Sequence, residues 1–214
     1  MRKSQIFIAL ALVLALSVAA MAQEDEEEEK WRDFEVTLIG GGSLPMGDFK
    51  DWSDTLGANF GFTVGLAAGY YFTERFSAGL YFTYSDHGTD NYDLGYKMYD
   101  IGGYLKYAFT GESNWEPYVK LSGGALAPKF ATWVTPDRNL LRELSYDPAI
   151  SLGVMAGVLY YTSDFGGIYA EVGFHNDLTK DVEAEYAGET YKLESNVNYI
   201  QMRVGVSVFF GPED

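Results

Sequence analysis

The 214-residue chain contains no cysteine. That excludes a disulfide framework, a thiol nucleophile and a lipid-anchor cysteine. Prolines number only six and histidines two. Cationic residues are scarce, 15 against 31 acids, for a net charge of −16. Such a surface disfavours nucleic acid as a partner, because phosphate recognition needs a basic footprint. The chain also lacks an apolar run long enough for a spanning helix of about 20 residues. Its N-terminal run, Ile6 to Val18, falls short. What is plentiful is aromatic residues, at 16%, and glycine, with 24. Low-complexity disorder would lack those aromatics.

The N-terminus carries two cations (Arg2, Lys3), the apolar run, and Ala20-Met21-Ala22 before Gln23. This pattern predicts a secretory signal peptide over residues 1–22, with a retained anchor as the alternative. Taking Arg2 and Lys3 from the 15 basic residues leaves 13 against 31 acids, a net charge of −18. Residues 23–33 begin with "QEDEEEEK", six of whose eight residues are acidic, and are expected to be a solvated acidic tail. Residues 34–214 are expected to form one domain.

Within that domain, apolar and small or polar residues alternate with period two, the signature of strands whose two faces meet different environments. "YIQMRVGVSVFF" (199–210) is the clearest case. Ile200, Met202, Val204, Val206, Val208 and Phe210 share one face; Gln201, Arg203, Gly205 and Ser207 share the other. Seven further segments behave alike: 34–42, 59–72, 76–85, 97–109, 116–127, 149–162 and 167–175. The connections 73–75, 110–115 and 163–166 are short, and 43–58, 86–96, 128–148 and 176–196 are long and polar. Strands joined alternately by short and long connections form an antiparallel meander.

The apolar set is expected to face lipid: Leu66, Leu80, Leu121, Val154, Val172, Val204, Val206 and Val208. The glycine-rich set suits a narrow eight-stranded lumen, which is filled by side chains. A closed barrel also satisfies every backbone hydrogen bond within hydrocarbon. The fold class is therefore all-β, an eight-stranded antiparallel up-and-down transmembrane β-barrel. Aromatics near the strand ends are the expected interfacial girdles, with a β-sandwich core as the alternative.

The whole segment after the leader resembles the small eight-stranded outer-membrane β-barrel proteins of the outer-membrane protein A and X type. "GGGSLPMGDF" (40–49), leading into "GFTVGLAAGYYF" (61–72), is similar to the first hairpin of that family. Phe210, preceded by Val208, Val206 and Val204, resembles the terminal strand signal read by the barrel-assembly machinery; "GPED" (211–214) follows it. The resemblance implies the outer membrane as location, both termini periplasmic, and outer-membrane lipid and lipopolysaccharide as surroundings. Its likeness to outer-membrane protein A stops at the barrel half.

The predicted lumen carries Glu35, Asp100 and Glu171 against Lys106, Lys120 and Arg203. A charge in a narrow interior is costly unless paired. These six are expected to form an ion-pair network, with Arg203 near Glu171. The functional alternative is a gated ion path. His175 near the loop-side rim raises the possibility of a lipid A-modifying hydrolase, with only Ser145 and Ser195 as loop serines nearby. A rim histidine without catalytic duty is the simpler expectation, so no catalytic residue is assigned. The acidic loops 85–93 and 181–194 lack EF-hand spacing, and no metal or cofactor is expected. Trp133, Leu140, Leu141 and Leu144 make loop 129–144 either an adhesive patch or a lid. The expected role is structural or adhesin-like and non-enzymatic, with a possible extracellular ligand at the loops. A narrow channel for small solutes is the alternative.

Overall fold

The computed structural model describes residues 33–51, 57–89, 95–109, 113–133, 141–186, 189–193 and 195–211. The expected signal peptide, the acidic tail up to residue 32, Leu140 and residues 212–214 lie outside them. In chain order the elements are β1 (Phe34–Met46), one helical turn α1 (Asp48–Asp51), β2 (Ala58–Tyr71), β3 (Phe76–Thr89) and β4 (Gly95–Ala108). There follow β5 (Trp115–Trp133), β6 (Leu141–Ser145), β7 (Ala149–Ser163), β8 (Gly166–Leu178), β9 (Glu183–Tyr186), β10 (Glu189–Lys192) and β11 (Val197–Phe210).

Eight of these strands close on themselves. Antiparallel pairing runs β1-β2-β3-β4-β5-β7-β8-β11, and β11 returns to β1 with Phe34 opposite Phe210. Closure removes every unpaired edge, the condition for strands to cross hydrocarbon. β6 adds to the far end of β5, pairing Lys129 with Ser145, and β9 with β10 forms a separate hairpin. No helix among the described residues is long and apolar enough to cross a membrane.

Strand alternation sorts the side chains by environment. Leu80 is 72% exposed, while Lys106, on the inward face, is 5% exposed. Leu66, Val154, Val172, Val204, Val206, Val208 and Phe210 also point outward and are exposed; Leu121 is half-buried on the same face. At the short-turn end, outward aromatics pack in pairs: Trp115 on Tyr160 at 4.6 Å and Tyr107 on Phe109 at 5.2 Å between ring centroids. At the loop end Phe62, Tyr84 and Tyr99 form a second row, with 5.9 Å and 5.1 Å between successive rings.

Inside, glycine makes room for tyrosine. A Cβ on Gly205 would sit 1.9 Å from the Leu38 carbonyl oxygen and 2.5 Å from the Tyr169 ring. One on Gly157 would sit 2.5 Å from the Tyr118 ring. Each of these tyrosine rings lies over its register partner on the strand beside it, where glycine leaves no side chain.

The long connections are more ordered than their polarity suggests. β1 continues to Met46, β3 to Thr89 and β5 to Trp133, into segments expected to be loops. The reason is internal pairing of polar groups. Ser43 Oγ lies 2.9 Å from His87 Nε2, and Thr63 Oγ1 lies 2.8 Å from Ser85 Oγ, so these residues face inward without loss. Above them sits an apolar cluster that includes Phe49, Tyr96, Phe130, Leu144, Tyr146 and Leu193. Leu144 is thus buried at the loop-side end of the barrel. A second cluster, with Ile39, Tyr71, Tyr118, Leu159, Tyr169 and Phe209, lies at the short-turn end.

Candidate functional site: the barrel lumen

Two ion-pair clusters fill the lumen. In the first, Lys106 Nζ of β4 donates to Glu35 Oε2 of β1 at 2.5 Å, across the barrel. The same carboxylate accepts from the hydroxyls of Tyr71 (2.9 Å), Ser207 (2.7 Å) and Thr37 (3.2 Å). Lys106 also donates to Tyr71 Oη at 2.6 Å. In the second, Glu171 of β8 receives Lys120 Nζ at 2.5 Å, Tyr118 Oη at 2.8 Å and Arg203 Nη1 at 3.4 Å. Arg203 and Glu171 are register partners on adjacent strands. Every oxygen of both carboxylates is engaged, the condition under which a buried charge is tolerated.

Tyrosine rings join the clusters. Lys106 Nζ lies 4.8 Å from the Tyr71 ring centroid, and Lys120 Nζ lies 5.6 Å from that of Tyr104. The space left between the two clusters is a cavity of about 30 Å³, lined by Glu35, Tyr104, Lys106, Tyr118, Lys120 and Glu171 among others. That volume holds one or two water molecules and no hydrated ion.

Asp100 stands apart from both clusters. Its Oδ2 accepts from Tyr81 Oη and Ser151 Oγ, each at 3.1 Å, in the loop-side half of the lumen. Its partners are hydroxyls, so the six charged residues divide into two ion-pair clusters and one separate carboxylate. His175 is also inside: it is fully buried and stacks on Tyr199 at 5.1 Å and 5°. This corrects its expected place at the rim. The alternation that turns Glu171 inward turns His175 inward two residue pairs later. Neither ring nitrogen of His175 has a hydrogen-bond partner among the described residues. It therefore makes no contact with a serine hydroxyl of the kind a nucleophile–base pair requires. Among the described residues no group of three or more His, Cys, Asp or Glu is placed to hold a metal.

Tyr71, Tyr104, Tyr118 and Tyr81 were not among the candidate residues, yet they connect the charges. The signal was present, since each shares the inward parity of its strand.

A closed eight-stranded barrel with an apolar outer wall, two aromatic rows and a charged, packed interior defines a transmembrane β-barrel. The chain belongs to the outer membrane protein beta-barrel domain family, whose model matches residues 8–210. The outer membrane is the location this fold implies. No functionally curated protein matches the chain. Among solved structures, Neisserial surface protein A is similar at 19% identity, covering 83% of this chain and 97% of its own, with a TM-score of 0.53. Outer membrane protein OprG from Pseudomonas aeruginosa is similar at 15% identity, covering 88% and 100%, with a TM-score of 0.52. The solid-state NMR structure of outer membrane protein AlkL gives 10% identity, 90% and 97% coverage, and 0.55. At these identities the likeness establishes the fold alone.

Proposed function

We propose that this protein is a non-conducting, non-enzymatic barrel of the outer membrane that anchors a folded surface projection. The observation that carries this is the plugged lumen: two fully engaged carboxylates and their lysines leave about 30 Å³ between them. A narrow solute channel is disfavoured by the same feature. The projection is supported by strand length. β5 has 19 residues. About 9–11 tilted residues cross a bilayer. Roughly eight remain, on the order of 25 Å of strand at ~3.3 Å each. The β6 pairing and the Phe49–Phe130–Leu144 cluster stiffen that extension, as a surface for an extracellular ligand requires. In this arrangement the long connections are external and both termini periplasmic, and the outward Phe210 serves the assembly machinery at the end of β11.

Planar-bilayer recording of the purified barrel tests the proposal. The expected result is no stable open level for the wild type. A steady conductance that changes when Arg203 is neutralised would establish an ion path and overturn it.

A further inference from the structure

We propose that the loop-side half of the lumen, directly beneath the apolar cluster, holds one calcium ion between Asp100, Ser151 and Asp177. Asp177 of β8 and Ser151 of β7 are register partners, and both are fully buried. Ser151 has one hydroxyl proton, and that proton goes to Asp100 Oδ2. The bond crosses β5, which presents Gly124 opposite Ser151 and so leaves the way clear. For Asp177, Ser151 therefore has only lone pairs left. Neither oxygen of Asp177 has a hydrogen-bond partner among the described residues, and neither has Asp100 Oδ1. The Ser151 and Tyr199 hydroxyls lie beside Asp177 outside hydrogen-bond geometry, and Asp100 is near enough to repel it.

Two buried carboxylates without an opposing charge are costly. The lumen's cations are engaged elsewhere: Lys106 on Glu35, and Lys120 and Arg203 on Glu171. His175, two residues from Asp177 on the same face, lies flat against Tyr199 at 5° and bonds to neither carboxylate. Oxygen acceptors that converge without donors and carry two negative charges are the chemistry of a hard divalent ion. Among the described residues no third carboxylate or imidazole joins them, so water would complete the shell. Calcium suits the span better than magnesium. The three side chains are rooted on β4, β7 and β8, and calcium bonds oxygen in flexible geometry at about 2.3–2.6 Å, whereas magnesium demands near-octahedral ligands at about 2.0–2.1 Å.

The site ties the barrel wall to its cap. Leu126 is the register partner of both Asp100 and Ala149, and Val197 is that of Asp177. Leu126, Ala149 and Val197 belong to the loop-side cluster that also holds Phe49, Phe130 and Leu144. An ion bound by β4, β7 and β8 fixes the floor on which that cluster packs. Calcium on the loop side thereby sets the rigidity of the projection.

The test is urea unfolding of the whole barrel in phosphatidylcholine vesicles, in EGTA and in calcium or magnesium at equal concentration. Equilibrium dialysis against radioactive calcium reads binding directly. The wild type is expected to bind calcium about tenfold more tightly than magnesium, with a correspondingly larger rise in its unfolding midpoint. Asp177→Asn should unfold at or above the wild-type midpoint in EGTA, because an unopposed buried charge is gone. It should lose the calcium-specific rise and bind one ion fewer per chain. Ser151→Ala should weaken calcium binding severalfold. Glu185→Gln, on the exposed face of β9, should leave the response unchanged, which separates the site from the acidic surface. Folding of each variant is read from heat-modifiable gel migration, and Asp100→Asn repeats the test should Asp177→Asn not fold. Equal shifts by calcium and magnesium in the wild type would mark screening of surface charge alone and overturn the proposal. So would an undiminished calcium response in Asp177→Asn or Asp100→Asn.

Discussion

Replacing Lys106 by methionine is a severe test of the interior, because it leaves Glu35 charged at a 5% exposed position. Breaking a buried ion pair by removing one partner costs about 3–5 kcal/mol, since the remaining charge stays desolvated. Glu35 keeps the hydroxyls of Tyr71, Ser207 and Thr37, which places the expected loss at the lower end of that range. Adding Glu35→Gln removes the stranded charge while preserving an acceptor for those hydroxyls. The double variant is therefore expected to recover to within about 1 kcal/mol of the wild type, with a coupling near the top of the usual range of about 0.5–3 kcal/mol. The assay is urea unfolding of the barrel in phosphatidylcholine vesicles, followed through Trp115, an outward residue packed on Tyr160. A Lys106→Met loss below about 1 kcal/mol would show that water reaches Glu35, and with it that the lumen is open. A double variant no more stable than the single would refute the pairing itself.

Three further perturbations separate the interior from the wall and the cap. Gly157→Val drives a side chain into the Tyr118 ring and should cost about 1–3 kcal/mol by overpacking. Gly123→Ala, whose added carbon has ordinary contacts, should change urea unfolding by less than about 0.5 kcal/mol. Phe130→Ala removes the ring stacked 4.4 Å from Tyr96 at the loop-side cluster. A loss of about 3 kcal/mol is expected there, with protease cleavage within residues 128–148 appearing on intact cells of the variant.

The fold was legible because the environment changes once per residue along each strand. Leu66 and Gly65 meet opposite phases, and no turn chemistry or long-range contact is needed to tell them apart. Strand ends were less legible. Ser43 and His87 look like loop residues, but a closed lumen gives them polar partners, so β1 and β3 run on. Pairing across the barrel was not legible at all. Arg203 and Glu171 are neighbours on adjacent strands, which connection order alone supplies. Lys106 and Glu35 meet from β4 and β1, and that depends on circumference and stagger, which no local pattern encodes. Asp100 shows the same limit: its partners are Tyr81 and Ser151, where charge counting pointed to a cation.

Site-directed spin labelling in reconstituted vesicles addresses the orientation of the two faces most directly. Labels at Val206, Leu66 and Ile101 are compared with labels at Thr37 and Ser207, which point inward and, unlike Gly205, have a Cβ already accommodated. The three outward labels should collide freely with oxygen and little with a water-soluble nickel complex, in proportion to their depth; the inward labels should be immobile and shielded from both. Nickel access at Leu66 and Val206, with oxygen enriched at Thr37 and Ser207, would contradict the lipid-facing wall and the packed polar lumen together.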